Sequence, residues 1–156
     1  EIATKNPTYY TSMGLTAEEV SKQFGISREE QDQFSVESHQ KAAVAWKAGK
    51  FTDEVVPITV KEVYVDENMK KKTREFVVKQ DEGIRADTTL EGLSKLKPVF
   101  AAGGTVTAGN SSQTSDGAAF VAVMSERMVK QLNLKPIARM VSYATAGVDP
   151  RIMGIG

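Results

Sequence analysis

The feature that most restricts how this chain can fold is a run of small residues, 103–119, that leads straight into the apolar stretch Phe120-Val121-Ala122-Val123-Met124. Glycine opens the left-handed backbone region, and serine and threonine hydroxyls supply donors and acceptors without bulk. Such a run lets main chain approach a neighbour or a ligand closely. The plainer reading is a turn-rich connection before a buried strand, because neither GxGxxG nor GxxxxGK[ST] is present. The apolar stretch itself fits a buried strand or the start of a helix, and its alanines keep both open.

At 156 residues the chain is long enough for one domain with a sizeable core. A hydrophobic share of 40% and a charged share of 26% place it among globular chains, and no apolar run is long enough for a membrane span. Twenty basic residues balance twenty acidic ones, so the broad positive field of a nucleic-acid binder is absent and any anionic ligand must be held locally. The chain has no cysteine, hence no disulfide, thiolate nucleophile or thiolate metal site of its own. His39 is the only histidine, which excludes a multi-histidine metal centre. The start at Glu1, without an initiator methionine or a signal-peptide pattern, reads as that of an excised piece.

Alternating helical and β-like segments predict an α/β architecture. Thr16-Ala17-Glu18-Glu19 and Ser27-Arg28-Glu29-Glu30 each carry the hydroxyl-to-glutamate spacing of a capping box. They predict a short helix ending at Gly25, with Val20 and Phe24 on one face, and a longer helix reaching Ala48. In the second, Phe34, Ser38, Ala42 and Ala45 make the packing line, and His39 falls off it as a polar surface residue. Residues 54–65 and 73–79 read as strands, Pro57 arguing for an edge, with Asp66-Glu67-Asn68-Met69-Lys70-Lys71-Lys72 as a solvated hairpin tip. A short helix near 90–96 places Leu93 and Leu96 towards one core. Ser125 caps another through Asn133, a strand runs over 137–146, and 147–156 is loop-like.

The order of these segments resembles the thiolases, in particular the 3-ketoacyl-CoA thiolases of fatty-acid β-oxidation. The resemblance runs through nearly the whole chain. It rests on Met13-Gly14-Leu15-Thr16-Ala17-Glu18, Gly25-Ile26-Ser27-Arg28-Glu29-Glu30-Gln31-Asp32, Asp81-Glu82-Gly83-Ile84-Arg85 and Leu96-Lys97-Pro98-Val99-Phe100. Further along it rests on Thr107-Ala108-Gly109-Asn110-Ser111-Ser112, Ser115-Asp116-Gly117-Ala118-Ala119, Gly147-Val148-Asp149-Pro150 and Ile152-Met153-Gly154-Ile155-Gly156. Gly109-Asn110-Ser111-Ser112-Gln113, paired with the last of these blocks, looks more like the degradative branch than the biosynthetic one.

The resemblance implies an incomplete thiolase-like fold: residues 1–114 as the loop domain that covers coenzyme A, and 115–156 as a strand-helix-strand start of the paired βαβαβ core. By the same resemblance the nucleophilic cysteine precedes Glu1, and the asparagine, histidine and second cysteine follow Gly156. This piece then carries no catalytic residue and is expected to be inactive alone.

Carried over position by position, the coenzyme contacts are Arg85 beside the nucleotide, Phe100 against the adenine or pantetheine, Ala108 as a small wall, and Ser111 and Ser112 along the pantetheine arm. Met13 and Met153 resemble residues at the acyl end, where a flexible thioether adapts to different chains. Biosynthetic relatives usually have alanine at Ser111 and often histidine at Ser12. The Tyr64–Val78 hairpin looks extended relative to compact thiolases. The implied partners are coenzyme A and acyl-CoA as substrates, with no permanent cofactor, nucleic acid or membrane, and a homo-oligomer as the whole protein. The implied location is bacterial cytoplasm or an organelle matrix. A non-catalytic acyl-CoA-binding or oligomerisation module, and a biosynthetic acetoacetyl-CoA thiolase, are the alternatives.

Overall fold

The computed structural model describes residues 1–156, and the chain divides into two compact units: residues 25–111, and residues 1–24 together with 112–156. In chain order the elements are α1 (Ile2–Lys5), α2 (Met13–Phe24), α3 (Arg28–Lys47), β1 (Ile58–Val65), β2 (Lys71–Val78), α4 (Leu90–Ser94) and α5 (Glu126–Gln131). Single 3-10 stretches occupy Pro7–Tyr10 and Pro150–Ile155. No helix is long and apolar enough to cross a membrane.

In the unit 25–111, α3 starts where the sequence says it should. The Ser27 hydroxyl accepts from the Glu30 amide at 3.2 Å, and the Glu30 carboxylate accepts from the Ser27 amide at 2.7 Å, a complete capping box. Gly49, at a φ of 68°, ends the helix, its amide donating back to the Trp46 carbonyl at 3.0 Å. The face that turns inward is not the one drawn through Phe34, which is 75% exposed. Asp32 and Val36 are buried, and Ser35, His39, Ala42, Ala43 and Trp46 continue their line half-buried. His39 is therefore half-buried, with a backbone partner, rather than a fully solvated surface residue. Its Nδ1 accepts from the Arg85 amide at 3.2 Å, and two turns on the Trp46 indole donates to Asp81 at 3.2 Å.

β1 and β2 form an antiparallel hairpin with Ile58 opposite Val78 and Val65 opposite Lys71. Pro57 stands just outside β1, where its missing N–H costs no ladder bond. The tip is built on Asp66, whose carboxylate accepts from the Asn68 and Lys70 amides at 2.9 Å each and pairs with Lys72. Those amides, Lys70 first, and the Lys72 ammonium hold the Asp66 carboxyl below its ordinary range. Lys72 is thus engaged in the turn rather than merely solvated. Arg74 pairs with Glu62 and lies against both Tyr64 and Phe76, 5.6 Å from each ring centre.

Thr89 caps α4, and Pro98 bridges Thr107 in a short antiparallel contact that returns the chain towards α3. Leu93 is buried, while Leu96 remains 38% exposed. Gly109 sits so close to this pair that a Cβ there would lie 2.6 Å from a methyl of each leucine. At this position the small-residue run is needed for close approach.

In the other unit, α2 begins one turn before Thr16, the expected cap. The Ser12 hydroxyl accepts from the Leu15 amide at 3.4 Å, and the Thr16 hydroxyl instead donates to the Met13 carbonyl at 2.7 Å from inside the first turn. Gly25, at a φ of 68°, ends the helix as expected, but Phe24 is 54% exposed rather than packed beside Val20. α5 is capped by Ser125 and closed by Asn133 at a φ of 51°. Neither 117–124 nor 137–146 forms a strand or helix, and Phe120, Ile137, Val141 and Tyr143 are almost fully exposed. An apolar segment becomes a strand only against a neighbour to pair with. The tail expected as loop is ordered: Asp149 accepts from the Arg151 amide at 2.9 Å, and Pro150–Ile155 packs against α2.

Three outcomes follow from these local geometries. Ser27→Ala removes one half of the capping box and lowers stability by about 1 kcal/mol, read as a urea midpoint shift. Glu30, held below its ordinary pKa chiefly by the Ser27 amide, stabilises the folded state fully above the unfolded carboxylate value. That contribution is lost as pH falls through the lowered folded value, so hydrogen-exchange protection at the start of α3, taken relative to the intrinsic rate, decreases there. Gly109→Ala costs about 1–3 kcal/mol by overpacking, whereas Gly117→Ala, with nothing within 4 Å of its Cβ, stays within about 0.5 kcal/mol in the same measurement.

Candidate functional site

The loop 105–111 is held from beneath by side chains that satisfy its backbone. Asn110 reaches back across it: its Oδ1 accepts from the Thr107 amide at 2.7 Å, and its Nδ2 donates to the Thr105 carbonyl at 3.0 Å. The same Nδ2 donates to Asp32 Oδ1 on α3 at 3.0 Å. Ser111 Oγ donates to the Thr107 carbonyl at 2.6 Å, and Thr107 Oγ1 accepts from the Gly109 amide at 3.2 Å. Gln31 Nε2 adds a bond to Thr105 Oγ1 at 3.0 Å. Thr107 is fully buried, yet Ala108, immediately after it, is exposed. Small side chains are thereby presented outward on a backbone in which the Thr105 and Thr107 carbonyls and the Thr107 and Gly109 amides are already paired.

Asp32 is the buried end of this arrangement at 1% exposure. Its Oδ2 accepts from Arg28 Nε at 2.7 Å, and Arg28 Nη2 also donates to the Leu93 and Leu96 carbonyls at 2.6 and 3.0 Å. One guanidinium therefore joins the start of α3 to the end of α4, and one carboxylate joins α3 to the loop.

Within the unit 25–111, four sequence-derived positions are found on two supported segments. Ala108 and Ser111 share the loop just described. Phe100, 42% exposed, lies on the other arm of the Pro98–Thr107 bridge, next to the Val99 amide that donates to the Val106 carbonyl at 3.0 Å. Arg85 lies on the segment that His39 and Trp46 tie to α3. Its backbone amide is fixed, while its guanidinium is exposed and makes no ion pair within the chain. It is left available for an anionic group.

The remaining positions belong to the other unit. Ser112 is exposed, its hydroxyl donating to the Gln113 carbonyl at 3.2 Å. Met13 opens α2 and Met153 sits in the 3-10 stretch that packs against α2; both are about half exposed, at 60% and 46%. Sequence reasoning missed Arg28, Asp32, Asn110 and His39 as supporting residues. An acid in a helix interior, one turn after an arginine, was the local sign available for the first pair.

Comparison with known proteins places the chain in a family. Residues 4–127 match the family described as thiolase, N-terminal domain. The chain is 52% identical over 155 residues to a 3-ketoacyl-CoA thiolase of Bacillus subtilis, covering 99% of this chain and 40% of that protein. It is also 52% identical over 144 residues to an acetyl-CoA acetyltransferase of Paracoccus denitrificans, covering 92% and 34%. The crystal structure of the Bacillus anthracis acetyl-CoA acetyltransferase matches with a TM-score of 0.77 at 48% identity, over 92% of this chain and 34% of that one. The chain thus spans two fifths or less of the length of these relatives, and its mixed helix-and-sheet structure is an incomplete α/β thiolase fold. It belongs to the thiolase family.

Proposed function

We propose that this chain is the coenzyme-covering segment of a thiolase that cleaves 3-ketoacyl-CoA to acetyl-CoA and a shortened acyl-CoA in fatty-acid β-oxidation. The observation that carries the coenzyme reading is the loop 105–111. The backbone groups of Thr105 and Thr107 on either side are held by Asn110 and Ser111, which fixes the loop and leaves the exposed Ala108 free to line a long ligand. A wall of small and apolar groups with a few placed donors suits the pantetheine arm. Ser111 and Ser112 meet that arm, Phe100 its aromatic end or the adenine, and the Arg85 guanidinium the phosphorylated nucleotide. Met13 and Met153 adapt to the acyl chain. Residues 1–114 are the loop domain and 115–156 the start of the core.

The bond chemistry in this reading belongs to residues outside the chain, since a thiolase nucleophile is a cysteine and there is none here. The thiolate attacks the 3-keto carbon and the C2–C3 bond breaks. The enolate takes a proton to become acetyl-CoA, and the thiolate of incoming coenzyme A removes the acyl group. The present segment supplies binding energy from the remote nucleotide, which orients the thioester against the nucleophile. The whole protein works as a homo-oligomer, in bacterial cytoplasm or an organelle matrix, with coenzyme A as substrate and no resident cofactor.

The equal identity to an acetyl-CoA acetyltransferase supports a second reading, in which the same site serves the reverse condensation of acetyl-CoA. A free-standing binding module is disfavoured by the exposure of Phe120, Ile137 and Tyr143, which a finished domain would cover.

The test is steady-state thiolysis by the full-length protein with 3-ketoacyl-CoA substrates of graded length, alongside acetyl-CoA condensation. Arg85→Ala raises the coenzyme KM about tenfold, the loss of one charge-assisted contact, and Ser112→Ala raises it about threefold, the loss of one neutral hydrogen bond. Unchanged KM in both removes these two positions from the site. Activity confined to acetoacetyl-CoA selects the biosynthetic reading.

A further inference from the structure

Both oxygens of the Asp32 carboxylate face donors: Oδ2 meets Arg28 Nε at 2.7 Å, and Oδ1 meets Asn110 Nδ2 at 3.0 Å. An acceptor-only group is required there, because an asparagine turned either way sets an NH2 against a donor. Every link beyond Asp32 ends on backbone that shapes the loop. Asn110, oriented by this contact, closes the loop through the Thr107 amide and the Thr105 carbonyl, and Arg28 holds the carbonyls of Leu93 and Leu96. Those two leucines are the ones against which Gly109 packs without room for a Cβ. The loop is thus fixed from two sides by one ion pair.

We propose that Arg28 and Asp32 are positioning residues for the coenzyme loop: they touch no substrate, and they select the backbone arrangement of 105–111 that presents Ala108 and Ser111. This rests on the coenzyme reading given above. When only a fraction of molecules holds the competent loop, apparent affinity for the coenzyme falls by that fraction. Chemistry at the thiolate, which is not supplied by Arg28 or Asp32, is little altered once the coenzyme is seated. Loss of this support therefore weakens coenzyme binding more than turnover.

The experiment compares Asp32→Asn, Arg28→Lys and Ala108→Leu in the full-length protein. Coenzyme KM and kcat for thiolysis are measured together with hydrogen exchange of residues 105–111 and of α3. Asp32→Asn, nearly isosteric, is expected to raise KM about tenfold with kcat within about threefold, and to speed exchange in 105–111 while the second half of α3 keeps its protection. Arg28→Lys, which retains the charge beside Asp32 but loses the guanidinium fork, gives a smaller rise. Ala108→Leu, which fills the proposed wall, raises KM without altering exchange. A rise with Ala108→Leu and none with Asp32→Asn overturns the positioning role and leaves the coenzyme reading standing. No rise with either removes the coenzyme reading and the proposal with it. Equal losses in KM and kcat accompanied by faster exchange throughout α3 show a purely structural pair and also overturn it.

Discussion

A buried carboxylate among donors governs the unit 25–111. Its buried apolar side chains are only Val36, Leu93 and Val106, and at about 1.5–3 kcal/mol each their burial leaves much of the arrangement to other forces. Asp32 and Thr107 are as deeply buried as any residue in the chain. A buried ion pair adds little net stability compared with a well-packed apolar replacement. What it adds here is discrimination: Arg28 has one arrangement that serves Asp32 and the Leu93 and Leu96 carbonyls, and Asn110 has one orientation that serves Asp32 and the loop. Alternative loop arrangements leave a buried acceptor without its donor, which is costly.

The legible parts of the fold were those decided within a few residues. The Ser27–Glu30 box, the glycines that end α2 and α3, and the Asp66 turn each close their hydrogen bonds locally. Reading failed where a choice depended on distant chain. Phe34 drew the apolar line of α3 because it is large, but the helix turns towards Asn110 and α4, and Asp32 and Val36 lie on that side. α2 acquired an extra turn because Ser12 offers its own cap. The segments 117–124 and 137–146 carry strand-like apolar sequence, yet strand formation needs a ladder that their own residues do not provide.

The candidate site divides along the same line. Ala108, Ser111 and Phe100 were identified by blocks of adjacent residues, and they fall on a loop and its neighbouring arm. Their support was hidden because Asp32 and Asn110 are separated by 78 positions, and His39 and Arg85 by 46. Nothing in the neighbourhood of His39 distinguishes a surface histidine from one that holds a backbone amide. The two ties from α3, through Asp32 to one segment and through His39 to the other, make this helix the common reference for both groups of proposed coenzyme contacts.

In the proposed function, that arrangement bears on how a segment without a cysteine would contribute to catalysis. Binding energy from a nucleotide can lower a barrier elsewhere only if the contacts are set at fixed distances from the reacting atoms, since a loose contact returns its energy as disorder. A loop rich in glycine and hydroxyl residues has the least intrinsic stiffness of any sequence. In this chain, stiffness comes from α3, twenty residues long, capped at both ends and linked to the loop by buried polar bonds rather than by side-chain bulk. Small residues can therefore remain on the outward side, where room for a ligand is needed, while order is imposed from the inward side. Replacing the polar support by larger apolar groups would move bulk into the space that the close approach of Gly109 to Leu93 and Leu96 already fills.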